Sequence, residues 1–83
     1  MEIKITKTII SDNKEFKIRN DIHFHLLRNN KDYDCFGIIT DIKENEFKIC
    51  NVQIDGMNLI DELTIKYTEV KDGILHYTDD SWY

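Results

Sequence analysis

Apolar and polar positions alternate along much of the chain, which is organised around one stretch from Cys35 to Gly56, two apolar-rich runs joined by a short polar turn. Two runs rich in Ile, Val and Phe, residues 35–42 and 47–54, flank the polar tetrad Lys43-Glu44-Asn45-Glu46. β-Branched and aromatic side chains suit a pleated, half-buried surface, and Asn tolerates the left-handed backbone of a tight reversal. The pattern predicts a hairpin centred on Glu44-Asn45, with Ile42 opposite Phe47, Asp41 opposite Lys48, Ile39 opposite Cys50 and Gly37 opposite Val52. Strict alternation assigns Cys35, Ile39, Cys50, Val52 and Ile54 to one face. It assigns Phe36, Ile38, Ile42, Phe47 and Ile49 to the other. Two apolar faces imply cover on both sides or a bend that closes a small barrel, and Gly37 suits the bend.

The flanking segments carry weaker versions of the same signal. Residues 2–10 alternate and predict one strand, followed by a turn at Ser11-Asp12-Asn13-Lys14. Phe16, Ile18, Asn20, Ile22, Phe24 and Leu26 keep a period of two. They predict one long strand, or two broken at Arg19-Asn20-Asp21. A short helix over 20–29, capped by Asn20, is the rival, and the poor helix formers Ile22, His23 and Phe24 weigh against it. Residues 28–34 read as the longest polar loop, with Tyr33 as a contact residue on it. Asp55-Gly56 is a strong hairpin signal that pairs Ile54 with Met57 and Val52 with Leu59. The strand after it places Met57, Leu59, Leu63, Ile65 and Tyr67 on one face, interrupted at Asp61-Glu62. Lys71-Asp72-Gly73 repeats the Asp-Gly signal before a last strand over 74–78. The sum is one all-β domain over residues 1–83, a small five- or six-stranded antiparallel barrel or strongly bent meander.

Composition agrees with strands. The chain has 14 Ile, no Ala and no Pro in 83 residues, so the best helix former is missing. Ile, Lys and Asn make up 30 of the 83 residues, as expected of an AT-rich genome such as a low-GC bacterium, its phage or another mobile element. A domain this small buries about 60% of its unfolded surface, so its stability is modest and self-association would help it. No run of about 18 apolar residues suggests a membrane helix, and the first residues lack the apolar core of a signal peptide, so the expected location is cytoplasmic.

Charge narrows the partners. Residues 1–40 hold six acids and seven bases, whereas residues 41–83 hold ten acids and four bases, for a net charge of −5. An acidic surface repels nucleic-acid phosphate, so DNA is not an expected partner. A protein with a basic surface is. The closing Asp79-Asp80-Ser81-Trp82-Tyr83 concentrates two acids and two aromatics, and aromatics anchor interfaces. Tyr33, Asp79, Asp80, Trp82 and Tyr83 are therefore the candidate contacts, for a partner protein or a second copy of the chain. The leading expectation is a non-enzymatic protein-binding module, encoded by a mobile element, that occludes a basic, nucleic-acid-binding site on a host protein.

The strongest chemical signal is His23-Phe24-His25. Two His residues two apart on a strand project from one face, as paired zinc ligands can. His76, Cys35, Cys50 or an acid would supply the third ligand, and His23, His25 and His76 are the metal candidates. The two cysteines fall too far apart along the hairpin for an internal disulfide and read as buried free thiols. Cys50 lies mid-strand among Ile and Val, where no base would activate it as a nucleophile. Gly37, Gly56 and Gly73 form no phosphate-cradling loop. No cofactor and no catalytic residue is expected.

Gly37-Ile38-Ile39-Thr40-Asp41-Ile42 together with Phe47-Lys48-Ile49-Cys50-Asn51-Val52 resembles the first motif of the Sm-like proteins, a bent strand that starts at a Gly, a turn and an apolar strand. Val70-Lys71-Asp72-Gly73-Ile74-Leu75-His76-Tyr77 is similar to their second. The resemblance covers about a third of the chain. It implies a small bent-sheet barrel and, as an alternative function, an oligomeric ring that binds RNA.

Overall fold

Tight reversals at Asp and Asn residues shape the chain. The computed structural model describes residues 1–4, 7–59 and 61–78. In chain order the strands are β1 (Glu2–Lys4), β2 (Thr8–Ser11), β3 (Lys14–Lys17), β4 (Asp21–Arg28), β5 (Lys31–Ile42), β6 (Glu46–Ile54), β7 (Met57–Asn58), β8 (Leu63–Lys66) and β9 (His76–Tyr77). Short 3₁₀ turns at Tyr67–Glu69 and Lys71–Gly73 lie between β8 and β9. All pairings are antiparallel. One sheet has the order β1-β2-β3; the other runs β7-β6-β5-β4-β9, with β8 also paired to β6. The all-β prediction holds. Among the described residues the ladders do not close into a hydrogen-bonded barrel.

The two sheets meet through a few specific bonds. The Arg19 amide donates to the Ile39 carbonyl at 2.7 Å, and the Ile39 amide donates to the Asn20 carbonyl at 3.0 Å. The corner between β3 and β4 is thereby tied to the middle of β5. At the other end the buried Ser11 hydroxyl donates to the Gly73 carbonyl at 2.8 Å and accepts from the Leu75 amide at 2.9 Å. Among the described residues fourteen apolar side chains, from both sheets and from the segment between β8 and β9, form one buried cluster that includes Ile9, Phe16, Phe24, Ile39, Phe47, Ile65 and Leu75.

Several segments differ from the sequence reading. The single strand expected over 2–10 is instead two antiparallel strands, β1 and β2, and Lys7, at a positive φ of 57°, donates its amide back to the Lys4 carbonyl at 3.0 Å. The period-2 series is broken at Ile18-Arg19-Asn20, and where the rival reading put a helix over 20–29 the chain forms the strand Asp21–Arg28, with Ile22, Phe24 and Leu26 buried on one face. The expected polar loop over 28–34 is a two-residue reversal. Asn29 and Asn30 have φ of 55° and 62°, the paired left-handed geometry of the tightest hairpins, and Arg28 faces Lys31 across it. Asp55-Gly56 forms the predicted hairpin with Ile54 opposite Met57, but the strand beyond is split into β7 and β8, and Met57 is 71% exposed. Lys71-Asp72-Gly73 is a 3₁₀ turn, and the last strand shortens to His76–Tyr77.

The central hairpin has the predicted ends and a different middle. Ile42 faces Phe47 and Asp41 faces Lys48, as expected, although the Asp41 carboxylate lies 3.4 Å from the Lys7 ammonium. Register then slips twice. Ile39 faces Ile49, which leaves Thr40 as an extra residue on β5. Ile38 faces Cys50 and Phe36 faces Gln53, so Gly37 stands against both Asn51 and Val52, with Asn51 at a φ of 51°. Each bulge reverses the parity of its strand and bends it. Cys35, Ile39, Ile42, Phe47, Ile49 and Val52 consequently share the buried face, and Phe36, Ile38 and Cys50 are only partly covered. The strict two-face assignment is corrected accordingly, and Cys35 and Cys50 lie on opposite sides of the hairpin.

Candidate metal centre

On β4, Ile22, Phe24 and Leu26 enter the core, so the alternation of a strand turns Asp21, His23 and His25 outward. The Asn29-Asn30 reversal fixes what β5 places beside them. His25 is opposite Asp34 and His23 is opposite Phe36. On the other flank, β9 brings His76 opposite His23. Residues directly opposite in an antiparallel pair share a face, so three histidines from two strands and the carboxylates Asp21, Asp32 and Asp34 occupy one outer surface.

His23, His25 and Asp34 converge. Each offers one ligand atom, and these atoms all lie within 4.8 Å of one another. The His23 Nε2 is bonded to Asp34 Oδ1. The His23 ring also stacks on Phe36, with centroids 4.2 Å apart and planes 14° apart. That stack fixes the imidazole plane and covers one side of it. The His23 Nδ1 is buried without a hydrogen-bond partner. His25 is half exposed, and its Nδ1 lies 3.3 Å from Asp32 Oδ1, while Lys71 holds the other Asp32 oxygen at 3.3 Å. The Asp32 carboxylate on His25 Nδ1 orients that ring and leaves its Nε2 to coordinate. Asp34 is itself anchored through its backbone, whose amide donates to Asp55 Oδ1 at 2.9 Å and whose carbonyl accepts from the Asp55 amide at 2.9 Å.

Two imidazole nitrogens and a carboxylate oxygen suit a borderline divalent ion such as Zn²⁺, whose bonds to these donors are about 2.0–2.2 Å long. Donors on one tetrahedral ion stand about 3.3 Å apart at such bond lengths. Reaching that spacing requires the His23–Asp34 hydrogen bond to open and the half-exposed His25 side chain to turn toward it.

The other sequence candidates fall elsewhere. Cys35 is buried beneath β5, and burial pushes its thiol up to about 12, which keeps it protonated and unsuited to a metal. Cys50 is partly covered and opposite Ile38, outside the converging group. His76 is next to the group, its ring centroid 6.1 Å from that of His23. Tyr33 is not on a loop: it lies in β5, partly covered and packed against the buried cluster. Asp79, Asp80, Trp82 and Tyr83 lie outside the described residues. Asp34 is the converging carboxylate that sequence reasoning did not name. Its signal was the Asn29-Asn30 pair, because a two-residue reversal there dictates that His25 meets Asp34.

No protein-family model matches the chain, and no curated protein or solved structure matches it either.

Proposed function

We propose that the protein is a small metal-binding β module that holds one divalent ion of the zinc class through His23, His25 and Asp34. The observation that carries this reading is the convergence of two imidazoles and one carboxylate within 4.8 Å on a single sheet face. The stacked, largely covered His23 ring and the backbone-anchored Asp34 support it, because both ligands are held in place before an ion arrives. The protonated, buried Cys35 supports a binding role over nucleophilic chemistry. Calorimetric titration with Zn²⁺, checked by metal analysis of the dialysed protein, tests the reading. One equivalent bound by the natural chain and none by His23→Ala/His25→Ala is the expected result. Equal binding by both, or none by either, overturns it.

A second reading, a protein-binding module that meets a basic partner, is supported by a different feature of the same face. A hollow of about 350 Å³ is lined by Asp21, Phe36, Ile38, Asn51, Gln53 and Thr78. Its apolar side chains Phe36 and Ile38 and the single acid Asp21 suit a basic, partly apolar segment. Capture from a low-GC bacterial lysate with the natural chain and with Asp21→Lys tests it, and recovery of the same proteins by both counts against a role for Asp21.

A further inference from the structure

We infer that His76 is a fourth ligand of the same ion, so that metal binding clamps β9 onto β4. This rests on the metal reading above. His76 and His23 are direct partners across the β4–β9 ladder and share its outer face. Two imidazoles on one tetrahedral Zn²⁺, each bound at about 2.1 Å, place their ring centroids about 5 Å apart. The His23–His25 and His23–His76 centroids are 5.7 and 6.1 Å apart, so small rotations of two partly or fully accessible rings bring either pair onto one ion. His23 is the middle ring of the three and the most covered, which makes it the fixed point about which the other two close.

The fourth donor changes what the site does. Three protein ligands leave a coordination position for water or substrate, whereas four close the shell and make the ion structural. The clamp also acts on a short ladder: among the described residues β9 pairs with β4 through Ile22–Tyr77 and His23–His76. A bond through His76 ties that short strand to the centre of the larger sheet, and metal binding then adds directly to folding stability.

Cobalt substitution of the full chain tests the assignment. Co²⁺ bound to four protein ligands gives intense tetrahedral visible bands, and the natural chain is expected to show them. His76→Ala is expected to bind Zn²⁺ about 100-fold more weakly, a loss at the top of the range for removing even an outer-shell partner. Its Co²⁺ bands should weaken as water enters. Unchanged affinity and an unchanged Co²⁺ spectrum in His76→Ala overturn the role of His76 while leaving the three-ligand site standing. Absence of Zn²⁺ binding by the natural chain overturns both. The ring ¹⁵N resonances of the natural chain give a reading independent of any variant. A His76 nitrogen that moves to the metal-bound range on adding Zn²⁺ supports the assignment, and a His76 ring that does not respond overturns it.

Discussion

Adding one methyl group at Gly37 tests the bent hairpin directly. A Cβ built at this position would stand 2.8 Å from Ile49 Cδ1, 3.0 Å from its Cβ and 3.2 Å from its Cγ1. Ile49 is fully buried, and its β-branched side chain has little freedom to turn away. Overpacking of this kind costs about 1–3 kcal/mol. Gly37 does not hold a positive φ, so Ala also gains about 0.4–1 kcal/mol by restricting the unfolded chain. The expected net loss for Gly37→Ala is about 1–2 kcal/mol, or roughly 6 °C in Tm for each kcal/mol in a domain of this size. Urea unfolding followed by far-ultraviolet dichroism measures it. The cycle with Ile49→Val identifies the cause. Ile49→Val alone should cost about 0.5–1.5 kcal/mol, but in the Gly37→Ala background it removes the terminal methyl that the new Cβ strikes, and should cost less or nothing. Wild-type stability in Gly37→Ala, or strict additivity with Ile49→Val, would refute the close approach of these two strands.

Two further outcomes follow from the electrostatics. The Arg28 guanidinium donates to both Glu69 oxygens, at 2.7 and 3.0 Å, and this pairing holds the Glu69 carboxyl below its usual range. A depressed carboxylate adds stability above the unfolded value of about 4.3, and that stability is lost as pH falls through the lower folded value. Glu69→Gln should therefore lose about 1–2 kcal/mol at pH 7 and show a flatter decline in acid, and an acid limb identical to that of the natural chain would count against the pair. Thiol alkylation at pH 8 should modify the partly exposed Cys50 well before Cys35, whose buried thiol is pushed up to about 12. Mass mapping of the labelled peptides checks the order, and equal rates would contradict the buried placement of Cys35.

Much of the architecture was legible because it depends on short-range signals. The Ile-rich alternation gave strands, and Asp55-Gly56 placed Ile54 opposite Met57. His23 and His25 share a face by parity alone. What escaped was every feature that depends on a single unpaired residue. Nothing in the sequence marks Thr40 as the extra residue of a bulge, yet it moves Ile42 onto the buried face beside Ile39. Asn51 carries a faint signal, since Asn tolerates positive φ, but so do many loop residues. Residues 31–34 looked like loop because they are polar. They can be strand because this part of β5 pairs with β4 alone, leaving Lys31 and Asp32 to solvent. The metal candidates were half legible: the histidine pair came from spacing, whereas its carboxylate came from a ladder register that only the reversal at Asn29-Asn30 defines.

That reversal has a consequence for how such a chain can diverge. Surface loops ordinarily absorb inserted or deleted residues with little penalty. Here one added residue between Asn29 and Asn30 would slide β5 by a single step, point Asp34 toward the oily interior and send Cys35 out beside the histidines. Length at this corner is thus a chemical variable, and lineages that keep the two histidines and Asp34 together would be expected to preserve the spacing there even while the residues filling it drift.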